Sequence, residues 1–358
     1  MIIAMIGVNR QLKYLTAKNL GYDGENIVSF GLAEEISTRF PMVKAELMQN
    51  PRVLSVTRSS STMDKESATT GDDAVTWEGQ TVGVRMPKTH LMRVDPEFIE
   101  TFKLELADGR FFSREFPQDR RESVVLNETA LRTMDLTSPI GKRVTVWNNN
   151  FRIIGVVKDF HFYSLHEKIE PLFFINSFTS FRNIFVRINS QNPLETMRFI
   201  QNKFKEIAPG YIPDITFMDE TLQNAYTAER RMGKLTKIFT ALAIFISCIG
   251  LLGLVSFSVK QRTKEIAVRK VLGASEENIA FHLYKETLIC ITVANIVVYP
   301  VAYIILRGWL RNYAYHTTIG LGVFLMASSL TLTLAVLSVG WNVLRASLAE
   351  PVDSLRYE

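Results

Sequence analysis

Residues 238–259 read IFTALAIFISCIGLLGLVSFSV, and this stretch decides the class of fold. Between Lys237 and Lys260 there is no Asp, Glu, Lys or Arg. A helix needs about 20 apolar residues to cross the hydrocarbon core of a bilayer. Two more charge-free stretches follow, 287–306 (TLICITVANIVVYPVAYIIL) and 321–344 (LGVFLMASSLTLTLAVLSVGWNVL). Together they predict an all-α bundle of three transmembrane helices at the C-terminal end. Asn295 and Pro300 lie inside the second stretch, and groups of that kind at membrane depth need partners on neighbouring helices.

Outward from these spans the composition changes. The chain has 358 residues, 41 Lys+Arg against 36 Asp+Glu, and 47% hydrophobic residues. Its mean hydropathy of +0.08 averages a charged region before Lys237 with an apolar one after it. Apolar content this high with a net charge of only +5 excludes a disordered chain. Two cysteines, Cys248 and Cys290, build neither a disulfide framework nor a metal cluster.

Residues 20–220 carry short alternating runs separated by turn signals. ENIVSF (25–30), RVLSVTRS (52–59), VTVW (144–147), FRIIGVV (151–157) and NIFVRI (183–188) read as strands, with a hairpin turn at 148–150. FPMVKAELMQNP (40–51) reads as a helix. PLETMRFIQNKFKEIAP (193–209) reads as an amphipathic helix with Leu194, Met197, Ile200, Phe204 and Ile207 on one face. The order βαβ, several strands, βαβ predicts an α+β domain with mixed sheets. The polar stretch 59–73 reads as a loop. Residues 219–237 contain no proline and lead straight into the first span. They are expected to form a stalk helix, with Glu229, Arg230 and Lys234 on it.

Enzymatic signals are weak. Lys158–His166 (KDFHFYSLH) carries two histidines five apart, whereas a helical zinc pair wants four with a Glu between. Its aromatic interleaving fits a strand end packed on a core. No Gly-rich Lys-Ser/Thr phosphate loop and no G-x-S-x-G elbow occurs. Hence no catalytic, metal or cofactor-binding residue is assigned. The pI near 9.1 does not point to nucleic acid, because the basic residues are dispersed.

The informative constellation is 260–278, KQRTKEIAVRKVLGASEEN. Glu265 and Arg269 stand at i,i+4 in the favourable Glu-first order. Val268 and Leu272 form an apolar i,i+4 pair. Gly273 is placed to end the helix in the left-handed conformation, and Ser275 to cap the next one. A short amphipathic helix at the membrane surface follows, which either contacts lipid headgroups or docks a partner. With this loop in the cytoplasm, the inside flanks hold eight basic residues against six for the opposite orientation, a thin margin.

The stretch KQRTKEIAVRKVLGAS (260–275) resembles the signature of FtsX-like and MacB-like permeases. Pro351–Arg356 resembles their closing motif. Val124–Ala130 (VVLNETA), Pro139–Lys142 (PIGK) and Ile154–His161 (IGVVKDFH) resemble their extracytoplasmic core domain. The resemblance implies a bacterial inner-membrane protein with its large domain outside and the 260–285 loop inside. It implies an ATP-hydrolysing ABC ATPase on a separate cytoplasmic chain, engaged by a coupling helix carrying Glu265, Ile266, Val268, Arg269, Lys270, Leu272 and Gly273. ATP would then be used by the partner and not bound here. A second permease copy or half is implied as well, and so is either transport or, as in FtsX-like proteins, regulation of an envelope enzyme. On this reading residues 1–8 are the remnant of a preceding transmembrane helix, 9–218 the core domain, 219–237 the stalk and 238–358 the permease domain. The chain is then expected to be the C-terminal part of a longer permease.

Overall fold

The structure is a computed structural model. Its description leaves out residues 64–67, 72–73, 82, 164, 178–179, 226, 263–264, 266–267, 270–271, 273–275 and 348–358, together with the side chains of 34–35, 222–223, 225, 259, 276–280, 282–284, 286–287, 338–339 and 341–347. Two compact units result: 18–227, and 1–17 with 228–358.

The first unit is a single mixed sheet of 12 strands with helices packed on it. Its frame comes from the two ends of the segment. β1 (Ile27–Gly31), helix α2 (Glu34–Leu47) and β2 (Val53–Ser59) form one arm. β11 (Asn183–Ile188), α6 (Pro193–Ile207) and β12 (Thr216–Phe217) form the other. The strands lie in the order β12-β1-β11-β2, with β1 antiparallel to both its neighbours and β11 antiparallel to β2. β1 and β2 therefore run parallel with β11 between them, the split βαβ arrangement. Val28, Phe30, Phe40, Val43, Val186, Ile200 and Phe204 fill the space between sheet and helices. Leu194 is the exception to the face expected on α6: it is 68% exposed, because it sits in the first turn, beyond the sheet's cover. Helix α2 starts earlier than the expected 40–51, at Glu34, and accommodates Pro41 in its interior.

Between β2 and β11 the chain inserts the remaining strands, which extend the sheet through β5 (Thr89–Val94), β10 (Leu172–Asn176), β7 (Ser123–Asn127), β9 (Asn149–Val157) and β8 (Arg143–Val146). β7 is buried at all five positions, so its apolar centre, Val124–Leu126, shows no alternation. An aromatic cluster of Phe98, Phe102, Phe160, Phe162, Phe174 and Phe185 forms the largest core. The β8–β9 hairpin turns at Trp147 and Asn148, with φ of 45° and 67°, one residue earlier than expected. Two positive-φ residues suit the right-handed twist of a two-residue hairpin. Part of the expected loop 59–73 is strand: Ala68–Thr70 pairs with β5.

The motifs singled out in the sequence hold this fold together. Asn127 Oδ1 accepts from Ala130 N and from Leu172 N, both at 2.9 Å, capping a helix (Glu128–Thr133) and joining it to β10. Asp159 accepts from Thr129 N and Oγ1 at 2.8 Å and from Arg132 at 2.6 Å. Glu128 Oε2 accepts from Asp159 N at 2.9 Å. Gly155 is required because a Cβ there would lie 2.1 Å from Arg110 O. His161 is 7% exposed and its N–H donates to Leu20 O at 2.7 Å. Burial, reinforced by Lys18 and opposed by Asp159, pushes its imidazole down to about 4.

Candidate functional site

In the second unit, helix α1 (Ile2–Ala17) packs with α8 (Thr227–Gln261), α9 (Glu276–Leu310) and α10 (Leu321–Ser347). Among the described residues, two helices are long and apolar enough to cross a bilayer, Thr227–Ser258 and Leu288–Leu310. The third expected span lies on α10, whose described apolar part, Leu321–Leu337, is shorter than a crossing asks. α8 is continuous from Thr227 through the apolar stretch to Gln261. Before it, α7 (Met218–Ala225) covers the start of the expected stalk, and Tyr226 between them lies outside the described residues. On α8, Glu229 is half-buried, and Arg230 and Lys234 are exposed.

Residues 1–8, expected as the remnant of a transmembrane helix, lie in α1, which continues to Ala17 with Ile3, Gly7, Val8, Gln11 and Leu15 in one buried stripe. Ile3 packs with Leu306, Val323 and Ala327. A Cβ at Gly7 would meet Leu306 Cδ2 at 2.8 Å, and one at Gly233 would meet Leu12 Cδ1 at 2.8 Å. Small residues thus let these helices close up, as they do inside bilayers. Gln11, fully buried, donates from Nε2 to Tyr315 O at 2.8 Å and accepts from Thr317 N at 2.9 Å. One amide side chain therefore staples α1 to the 311–320 connection. Burial, with the Glu229 charge, pushes the Tyr313 hydroxyl up in the same connection.

The four helices surround a largely apolar cavity of about 410 Å³, with Ser247, Cys248, Asn295, Tyr299 and Thr331 on its wall. Asn295 is half-buried there, as the requirement for protein surroundings at depth predicts, whereas Pro300 is exposed. Tyr299 reaches across to Ser328 Oγ and donates to Phe324 O at 3.3 Å.

The turn between α8 and α9 carries the candidate coupling residues. Arg269 Nη2 donates to Glu265 Oε1 at 2.6 Å, one helical turn apart. Leu272 N donates to Val268 O at 3.0 Å. Val268 is 52% exposed and Leu272 80%. Ile266, Lys270 and Gly273 lie outside the described residues. Val268 and Leu272 thus form an exposed apolar i,i+4 pair beside the Glu265–Arg269 ion pair. Among the described residues no group of three or more His, Cys, Asp or Glu is placed to hold a metal.

These features define an integral membrane protein with a helical unit and a large folded domain inserted between its first helix and the others. Residues 1–199 match the MacB-like periplasmic core domain, and residues 237–351 match the FtsX-like permease C-terminal domain; the chain belongs to this permease family. It is 22% identical over 288 residues to the macrolide export ATP-binding/permease protein MacB of Bdellovibrio bacteriovorus, covering 75% of this chain and 44% of that protein. It is 23% identical over 290 residues to the ABC transporter permease YknZ of Bacillus subtilis, covering 74% of this chain and 69% of that one. The chain thus spans less than half the length of that MacB relative. Among solved structures, the periplasmic region of MacB from Actinobacillus actinomycetemcomitans aligns with 58% of this chain and 96% of its own, at 18% identity and a TM-score of 0.42.

Proposed function

We propose that this chain is a permease subunit of a bacterial ABC-type system, set in the inner membrane as a multi-pass protein and working by mechanical transmission. A separate cytoplasmic ATPase binds and hydrolyses ATP. The Glu265–Leu272 turn docks on it, with Val268 and Leu272 filling an apolar groove and the Glu265–Arg269 pair orienting the turn. Movement of that turn passes along α8, whose 35 unbroken residues make a rigid connector, to the extracytoplasmic domain. A second permease copy or half completes the assembly. Coupling of this kind needs two discrete arrangements and a stiff link between them.

The observation that carries the reading is the 80% exposure of Leu272, next to half-exposed Val268, on the connection between two apolar helices. Membership of the permease family supports it, and the printed names of the relatives suggest the ATP-driven export class. A photo-crosslinking residue at Leu272 tests it in the native membrane. Crosslinking to an ABC ATPase is the expected result, and labelling of lipid alone contradicts the docking role.

A further inference from the structure

A second charged feature lies in the 18–227 unit. A cleft of about 330 Å³ is lined by apolar Phe40, Pro41 and Met48 and by charged Arg58, Asp95 and Glu97. Arg114, Arg120 and Asn176 complete its lining. Lys44 stands 2.9 Å and Arg114 2.7 Å from Glu97 Oε1. Thr57 Oγ1 donates to Asp95 Oδ1. The Arg58 guanidinium lies between the rings of Phe40 and Phe181, 4.5 Å and 3.9 Å from their centres, and donates to Ser37 O.

Despite this crowding, Lys44 Nζ, Arg58 Nε, Asp95 Oδ2 and Glu97 Oε2 are buried and make no hydrogen bond, Lys44 keeping only its ion pair to Glu97. Buried polar atoms in folded proteins are almost always partnered, so four such atoms at one cleft call for an occupant. Two of them accept and two donate. A bare metal ion suits the carboxylates but not the guanidinium and ammonium groups beside them. A simple anion suits the cations but leaves both acceptors unmet. A molecule with a cationic donor and a carboxylate a few ångströms apart answers both, and the wall of Phe40, Pro41 and Met48 accepts an apolar side chain.

We propose that this cleft binds a small zwitterion, an α-amino acid or short peptide, with its ammonium on Asp95 and Glu97 and its carboxylate on Arg58 and Arg120. The volume fits, since small-molecule sites begin at roughly 300 Å³. Burial, with the neighbouring Glu97 charge, pushes the Asp95 carboxyl up to about 7 against Thr57, Lys44 and Arg58. An incoming ammonium favours the carboxylate form, so binding near neutral pH releases a proton. The site stands apart from the permease reading, which survives if the site fails.

Calorimetric titration of the full chain in detergent micelles tests it, with L-leucine and leucyl-leucine as zwitterions. N-acetyl-leucine, leucinamide and inorganic phosphate serve as controls. Saturable binding of either zwitterion, at least tenfold tighter than both blocked analogues, is expected, and the tighter of the two identifies free amino acid or peptide as the source. Glu97→Gln and Arg58→Lys should each weaken that binding at least tenfold, and the Glu97 variant keeps the proposal testable should the Arg58 variant fail to fold. No saturable binding of either zwitterion, equal binding of the blocked analogues, or phosphate binding in their place would overturn the assignment.

Discussion

The two units bury their apolar residues to different degrees. In the 18–227 unit, Phe160, Phe162, Phe174 and Phe185 are each no more than 1% exposed. In the helical unit, Ile238, Phe245, Ile296, Ile304 and Leu325 are each at least 60% exposed. Water enforces the first pattern, because apolar area left outside costs free energy in proportion to its size. The second pattern is stable only where the solvent is itself apolar, since lipid tails exert no such pressure. Leu272 belongs to neither environment: it is exposed on the connection beyond the apolar run of α8. That is why a protein partner is invoked there and lipid suffices along the spans.

The difference sets the order of expected mutational effects. Phe174→Ala, which empties part of the aromatic core, should cost about 3–5 kcal/mol. Thermal melting should show loss of the sheet unit while the helices still insert into the membrane; an unchanged melt would break the contrast. Gln11→Leu removes its hydrogen bonds to the Tyr315 carbonyl and from the Thr317 N–H, a loss of roughly 1–3 kcal/mol. Faster hydrogen exchange at 311–320 is the readout, and no change there would show that the staple contributes nothing.

A pH experiment sharpens the account of the sheet unit. His161 has its pKa lowered to about 4 in the folded state, against 6.5 unperturbed. The unfolded chain therefore takes up this proton first, and stability that is full above about 6.5 is lost as pH falls toward 4. Asp95, raised to about 7, acts in the opposite sense over its own window, because its folded form holds a proton that the unfolded chain releases. His161→Asn should remove the acid-side loss when wild type and variant melts are compared between pH 7 and 4. Parallel curves would contradict a buried neutral imidazole. The smallest effect is expected at Arg269→Ala, which removes one exposed i,i+4 pair worth about 0.3–0.5 kcal/mol. Helicity of the turn should fall only slightly, and a large loss would mean that the pair does more than orient it.

Periodicity made some of this legible and hid the rest. The two βαβ arms could be read because β2 and α6 face water on one side and so alternate or repeat. β7 and β10 escaped, since strands buried on both faces show only a short apolar run. Of α1 only residues 1–8 stand out in the sequence, as an apolar run shorter than a membrane length, although Ile3, Gly7, Val8, Gln11 and Leu15 follow helical spacing through to its end. Glu265 and Arg269 sit together as their spacing requires. The charged cleft joins residues 40–58, 95–120 and 176, separations that no local pattern connects. The link between VVLNETA and KDF is not legible in the sequence; their hydrogen bonds to one another give the physical reason for the motif.

The coupling claim is tested most directly by rebuilding the full chain in lipid nanodiscs with the ABC ATPase proposed as its partner and measuring ATP hydrolysis. The Val268→Asp/Leu272→Asp double variant should insert and fold as the wild type does, yet lose the stimulation of hydrolysis that the permease confers, by tenfold or more. Stimulation equal to wild type in that variant would contradict the account.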